Sequence, residues 1–130
     1  MEQDDEHTIK IIQRYQDIFG KENFFLELQD HPLIEKQEIV NKKLIELSKI
    51  TGAPLVATCD SHYVHPEDDE AHELLLCIQT QTNIHDGERM RLTGDFSLRS
   101  AEEMMKVFAD VPGAISNTVA IADRCHIEIP

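Results

Sequence analysis

The 130-residue chain has the length of one domain that can bury a core, and its hydrophobic share of 41% and charged share of 28% are ordinary for a soluble globular protein. Its formal net charge of -13 repels phosphate backbones, so no direct grip on nucleic acid is expected from this chain. No run approaches the roughly 18 apolar residues of a membrane span, and the N-terminus is acidic where a signal peptide is basic. The three cysteines lack C-x-x-C spacing, which fits a reducing compartment, so we expect a cytoplasmic protein.

The first half of the chain carries the pattern of a strand–helix–strand unit. Residues 5–19 have apolar side chains at helical spacing, and Gly20 ends this predicted helix. Residues 23–29 predict a strand, residues 35–50 an amphipathic helix, and residues 54–58 ("PLVAT") a short strand that is buried on both faces. This order predicts a parallel pair of strands joined by a right-handed crossover. The side chains expected to face the core from the second helix are those of Val40, Leu44 and Leu47.

The next part of the chain predicts a third helix followed by a loop. Pro66 suits the first helical position, and residues 67–70 place carboxylates at the positive end of the helix. Residues 83–94 are polar and irregular, which indicates a loop, and residues 95–99 ("DFSLR") predict a short strand. The expected core face of the third helix consists of Ala71, Leu74, Leu75 and Ile78.

Two more helices are predicted near the end of the chain. Ser100 followed by Glu103 forms a capping box for a fourth helix, and Asp110 is expected to cap a fifth that extends through Arg124. The chain then has about five helices but only two firm strands, and two parallel strands do not make a self-sufficient sheet. We therefore expect an α/β chain that is a helix-rich piece of a larger fold, with a few parallel strands.

Both predicted strands are followed by residues that can bind a metal. Asp60 and His62 follow the second strand two positions apart, so they point the same way if the strand geometry persists. His31 follows the first strand, and neighbouring parallel strands bring their carboxyl ends to one rim, where α/β folds bind ligands. A carboxylate with imidazoles suits zinc, manganese or iron. Spacing alone leaves open the alternative that these residues only form caps and turns.

Two further residues are candidates for a supporting role around such a site. Glu27 shares the parity of His31 along the first strand, and His72 lies one residue off the apolar stripe of the third helix. For His72, burial with a single hydrogen-bond partner is the competing interpretation.

Three stretches resemble a known family in their order and spacing. They are "FFLELQDH", "PLVATCDSHYVHPEDDEAHELLLCIQT" and "FSLRSAEEMMKVFADVPGAISNTVAIADRC". Together they resemble the second half of the N-terminal polymerase-and-histidinol-phosphatase (PHP) domain of bacterial replicative DNA polymerase III alpha subunits, the C-family polymerases.

The resemblance implies that residues 1–130 are a partial PHP domain, with the late strands and following helices of a distorted (β/α)7 barrel. It implies that His31, Asp60 and His62 are ligands of a divalent metal, zinc or manganese, in the intact domain. Glu27 and His72 would then lie behind those ligands. The family's early barrel strands, with their H-x-H motif, and its polymerase palm are absent from this sequence, so metal binding by the chain alone should be weak.

The resemblance implies a function in templated DNA synthesis by the parent polymerase. Its PHP domain would act as a metal-dependent 3′–5′ exonuclease or phosphoesterase, or only as a scaffold. The expected partners are the rest of the polymerase chain and a separate proofreading exonuclease subunit. The rival hypotheses are a non-catalytic interaction module and a free-standing PHP phosphatase. An incomplete barrel also exposes apolar surface, which predicts self-association.

Overall fold

The computed structural model describes residues 2–129 and contains more helix than strand. Within that range it has five α-helices and two strands, as the sequence predicts, and no helix in it is both long and apolar enough to cross a membrane. The elements are α1 (Glu2–Phe19), β1 (Leu26–Gln29), α2 (Glu35–Thr51), β2 (Leu55–Thr58), a 3-10 turn (Pro66–Asp68), α3 (Asp69–Thr80), α4 (Ala101–Val107) and α5 (Pro112–Ala122).

The predicted strand–helix–strand unit is formed by β1, α2 and β2. The strands pair in parallel, with Leu26 opposite Leu55 and Gln29 opposite Thr58. α2 connects them and ends at Gly52, whose φ of 71° is a left-handed conformation that a residue without a side chain adopts freely. The α/β class with parallel strands is therefore confirmed, and the PHP-type barrel remains a prediction.

β1 is shorter than the strand predicted for residues 23–29. The Asn23 N–H donates to the Gly20 carbonyl at 3.1 Å, which places Asn23 in the turn that follows α1, and residues 24 and 25 connect this turn to the strand. Pairing begins only where the Leu26 N–H donates to the Pro54 carbonyl at 2.8 Å. The prediction was wrong over the first three positions because aromatic side chains there favour a strand only when a neighbouring strand is within reach.

The core consists of two buried clusters on the strand–helix–strand unit. One joins α1 and α2 to the strands, and the other lies where α4 and α5 pack on the strands. The Asn117 side-chain amide donates to the Leu55 carbonyl at 2.7 Å, which fixes α5 on β2. On the predicted core face of α2, Leu47 is buried and Leu44 is partly buried, but Val40 is exposed. The clusters are Ile12, Leu26, Leu47 and Ala53, and Leu28, Ala57, Phe108 and Ala114.

The apolar stripe predicted as the core face of α3 is exposed. Leu75 and Ile78 are 62% and 74% exposed, while α3 buries Cys77. The helical spacing was correct and the choice of face was wrong. Periodicity identifies an apolar side of a helix, but it does not show that the same chain provides a surface to cover that side. The exposed stripe consists of Ala71, Leu74, Leu75 and Ile78.

The helices near the end of the chain start partly as predicted. At α4 the capping box forms, because the Ser100 N–H donates to the Glu103 carboxylate at 2.8 Å and the Glu103 N–H donates to the Ser100 hydroxyl. Asp110 does not cap α5: the cap position is Val111, and the proline that follows it takes the first helical position. The helix ends at Ala122, two residues before the predicted end.

Residues 95–99 do not form the predicted strand. Their ladder contact is one isolated parallel bridge between Ser97 and Tyr63. The Leu98 N–H donates to the Tyr63 carbonyl at 3.0 Å, and the His62 N–H donates to the Phe96 carbonyl at 2.8 Å. The segment therefore lies beside the chain that leaves β2, and we call residues 95–99 the clip segment.

Candidate functional site

The carboxyl ends of the two strands bring together the three residues predicted as ligands. His31 lies two positions after β1 ends at Gln29, and Asp60 lies two positions after β2 ends at Thr58. Because the strands are parallel and in register, the segments that follow β1 and β2 leave the sheet at the same edge. His62 follows on the same segment as Asp60.

Asp60 stands between the two imidazoles. Its Oδ2 lies 3.7 Å from Nε2 of His31, and its Oδ1 lies 3.7 Å from Nδ1 of His62. These separations are longer than hydrogen bonds. The separation between Asp60 and Nε2 of His31 is close to the roughly 3.3 Å expected between donor atoms that share a tetrahedral zinc ion. The two imidazoles thus face different oxygens of one half-exposed carboxylate.

The His62 ring is held by the main chain of Asp60. Nδ1 of His62 lies 3.1 Å from the Asp60 carbonyl oxygen, and a carbonyl can only accept, so Nδ1 carries the proton in this contact. In the neutral ring Nε2 then has a free lone pair. A histidine whose one nitrogen donates to a carbonyl is in the tautomer that metal sites use.

His31 is the buried member of the group. It is 8% exposed, and its Nδ1 is buried with no hydrogen-bond partner among the described residues. The ring of Phe96 packs against both imidazoles, with centroid distances of 4.9 Å to His31 and 5.2 Å to His62. Phe96 is itself buried, so it keeps water from one side of the two histidines. A buried imidazole nitrogen without a partner is costly, but the nitrogen of His31 that faces Asp60 is the other one, Nε2.

The clip segment ties both strand ends together, and the sequence patterns did not identify this role. The Arg99 guanidinium donates to the carboxylate of Asp30, the residue before His31, and it also lies 3.5 Å from the Asp30 carbonyl. On the other strand end, the Cys59 thiol donates to the Ser97 carbonyl at 3.3 Å. No local pattern predicts a contact across 69 positions. Residues 96–99 of the segment do lie inside the third stretch that resembles the family, and that was the available signal.

Two pKa shifts mark the charged groups around the clip segment. The Asp30 carboxylate raises the pKa of Arg99, so the guanidinium stays charged despite its partial burial. Hydrogen bonds from the main-chain N–H and the hydroxyl of Ser97 lower the pKa of Asp95. Asp95 therefore stabilises the local conformation of the segment, and Arg99 attaches the segment to the end of β1.

The two candidate supporting residues occupy different places. The His72 ring stands edge-on to His62, with centroids 5.5 Å apart, and also contacts Tyr63. Glu27 is exposed, and its carboxylate accepts a hydrogen bond from the Thr58 hydroxyl, which links β1 to β2 below the rim. His72 thus contacts a predicted ligand, whereas the contact of Glu27 is with a neighbouring strand. Their roles toward a metal remain predictions.

The donor chemistry suits a divalent metal, but the arrangement is incomplete. Among the side chains that the structure describes, those of residues 5–129, no group of three or more His, Cys, Asp or Glu is placed so that it could hold a metal ion. The residues present fit part of a coordination shell that needs further ligands.

The chain is similar to proteins named DNA polymerase III subunit alpha. It is 43% identical to that of Treponema pallidum over 118 residues, which make up 90% of this chain and 10% of the relative. It is 43% identical to that of Borreliella burgdorferi over 112 residues, or 85% of this chain and 10% of the relative. It is 47% identical to that of Saccharopolyspora erythraea over 113 residues, or 85% of this chain and 9% of the relative. No protein-family model matches the chain.

These similarities confirm the resemblance to DNA polymerase III alpha subunits that the sequence motifs indicate. The assignment to a PHP domain remains a prediction. The chain spans about a tenth of the length of the curated relatives it matches.

Proposed function

Since the chain corresponds to one segment of DNA polymerase III subunit alpha, we propose that it serves a replicative polymerase as part of a PHP-type domain. In this proposal His31, Asp60 and His62 supply ligands for a divalent metal, zinc or manganese, in the whole polypeptide. The supporting observation is the convergence of these three side chains at the carboxyl edge of the two parallel strands.

Each side chain has a part that its surroundings suit. Asp60 turns one oxygen to each imidazole, as a carboxylate that bridges two neighbouring positions does. His62 offers Nε2, because Nδ1 is engaged by a carbonyl, and the buried ring of His31 is held on the far side. A divalent metal in such a site supplies a Lewis acid for phosphate oxygens and lowers the pKa of bound water. This chemistry suits phosphoester hydrolysis, in a 3′–5′ exonuclease.

A non-catalytic scaffold is the second candidate. The observation in its favour is that the described part of the chain holds no complete metal-binding group. A scaffold would carry the polymerase and dock a separate proofreading exonuclease, and the net charge of -13 suits a surface that does not itself contact DNA. A free-standing phosphatase has less support, since the three relatives described above are named as polymerase subunits.

The metal proposal is tested by replacing Asp60. Asp60→Asn keeps the shape of the side chain but removes the charge that faces both imidazoles, so it should weaken metal binding at least about tenfold. The measurement is the apparent Kd for Mn²⁺, obtained from paramagnetic broadening of the histidine ring signals in NMR spectra. This method detects weak binding, which an incomplete shell requires.

The matched control for this test is Asp110→Asn, which removes one exposed carboxylate away from the site. We expect Asp110→Asn to leave the Kd unchanged. Equal broadening in wild type and Asp60→Asn, or none in either, would support the scaffold and count against the metal site.

A further inference from the structure

We propose that Arg99 is a positioning residue for the candidate site. It acts through Asp30 to fix the point at which the chain leaves β1, and so it sets the position of the His31 ring. The proposal rests on the proposed metal-binding function and assigns a determinant of that site outside the predicted ligands.

The first step is the two-point contact between Arg99 and Asp30. One guanidinium nitrogen donates to the carboxylate, and the other lies 3.5 Å from the main-chain carbonyl of the same residue. The side chains of Arg99 and Asp30 are 14% and 29% exposed, so solvent screens this pair less than a surface ion pair. Holding the carbonyl as well as the carboxylate restrains the main chain itself. A lysine, with its compact ammonium, cannot reproduce a fork of two nitrogens.

The second step is the short path from this contact to the imidazole. Asp30 directly precedes His31, and the His31 carbonyl accepts from the Ile34 N–H at 2.8 Å. The residue is therefore held on both sides, by Arg99 before it and by a turn after it. These contacts fix the main chain of His31 but not the rotation of its side chain. The ring itself packs on Phe96, which belongs to the same clip segment as Arg99.

The third step is that the clip segment contacts the ends of both strands and so fixes their relative positions. Its main chain accepts from the His62 N–H and donates to the Tyr63 carbonyl, both on the segment after β2. The side chain of Arg99 reaches the end of β1. The segment thus sets the distance between His31 and His62, and Arg99 is its attachment on the His31 side. Without that attachment, the imidazole of His31 is no longer fixed relative to Asp60.

The test uses the 130-residue chain and two NMR measurements. The first is the set of NOEs between the ring protons of His31 and Phe96, which report ring position whether or not metal is present. The second is the apparent Kd for Mn²⁺. Arg99→Gln should weaken the NOEs and raise the Kd by about 10-fold to 100-fold, the range seen for residues that orient metal ligands.

Matched variants separate positioning from a general loss of stability. Arg99→Lys should give an intermediate result, because one of the two contacts survives. Asp30→Ala should resemble Arg99→Gln, and the double variant should be no worse than either single one, since the two residues act as one unit. Lys43→Met is the control: it breaks an ion pair to Asp5 that also joins two elements, α1 and α2, and it should leave both readouts unchanged.

The outcomes distinguish this proposal from the proposed function. A folded Arg99→Gln variant with wild-type NOEs and Mn²⁺ affinity overturns the positioning role. If Arg99→Gln does not fold, Arg99→Lys decides, and wild-type NOEs in that variant also overturn it. If wild type binds no Mn²⁺ while Arg99→Gln weakens the NOEs, the three predicted ligands do not bind metal on their own and the positioning role holds.

Discussion

The Phe96 ring packs against the imidazoles of both His31 and His62. It is 6% exposed and lies within about 5 Å of each ring, as expected for aromatic contacts. Phe96→Ala would leave a cavity between two strand ends, so we expect the free energy of unfolding to fall by about 3–5 kcal/mol. Urea denaturation followed by circular dichroism measures this loss.

Phe19→Ala is the control for this substitution because Phe19 is 55% exposed and packs on Tyr15 at the end of α1. The same chemical change there should cost much less stability. Similar losses at the two positions would show that the burial of Phe96 does not set its contribution.

Single residues also show what sequence patterns can and cannot reveal about the site. His31, Asp60 and His62 were predicted from strand parity and from the shared edge of parallel strands, which are local geometric rules. Phe96 and Arg99 were not, because their roles depend on contacts with residues far away in the sequence. The local sequence "DFSLR" does not predict that the arginine binds Asp30 or that the phenylalanine packs against two histidines.

Among the elements, α4 has a start whose stability depends on pH. Hydrogen bonds from the N–H and hydroxyl of Ser100 lower the pKa of Glu103 from its usual value of 4.5. A carboxylate with a lowered pKa stabilises the folded state above its ordinary pKa. That contribution is lost as the pH falls through 4.5 and then through the lower folded value. Glu103→Gln should therefore reduce stability at pH 7 and make little difference at pH 3.

Urea unfolding of wild type and Glu103→Gln at both pH values measures this difference. Glu102→Gln is the control, since it removes the same charge one residue earlier and lies outside the capping box. The interpretation fails if Glu102→Gln shows the same pH dependence as Glu103→Gln, because the effect would then come from charge alone and not from the capping box.

The elements were predicted better than their environments. The capping box at Ser100 and Gly20, which follows the last residue of α1, are local signals, and both are present where the sequence places them. The buried face of α3 was wrong because that choice depends on what packs against the helix. The start of β1 was predicted three residues too early for a related reason, since a strand begins only where its partner strand is within reach.

At the scale of the whole molecule, the exposed stripe of α3 predicts association between copies of the chain. A contiguous apolar patch on a small protein favours contacts that remove it from water. We expect the sedimentation coefficient of wild type to rise with concentration. Leu75→Glu should shift that rise to higher concentration, because it places a charge in a patch whose residue at this position is 62% exposed.

Gln79→Glu is the control for association, since it adds the same charge to the same helix at an exposed polar position. It should leave the concentration dependence close to that of wild type. A wild-type chain that sediments as a compact monomer at every concentration contradicts the association.

The larger fold is the part that this sequence predicts least. Parallel pairing followed from the strand–helix–strand order, and the structure has it. A barrel requires further strands, and the described residues pair only β1 with β2. The number of strands in a barrel is set by the whole polypeptide. A segment that matches about a tenth of the length of its relatives cannot encode that number.

The contacts of the clip segment have a consequence for the order of folding. The link between Glu27 and Thr58 spans 31 positions, whereas the link between Arg99 and Asp30 spans 69. Closing a longer loop costs more chain entropy, and contacts between distant parts of a chain form more slowly. During refolding, β1 and β2 can thus pair before the contact between Arg99 and Asp30 forms, and until it forms the chain that leaves β1 lacks this restraint.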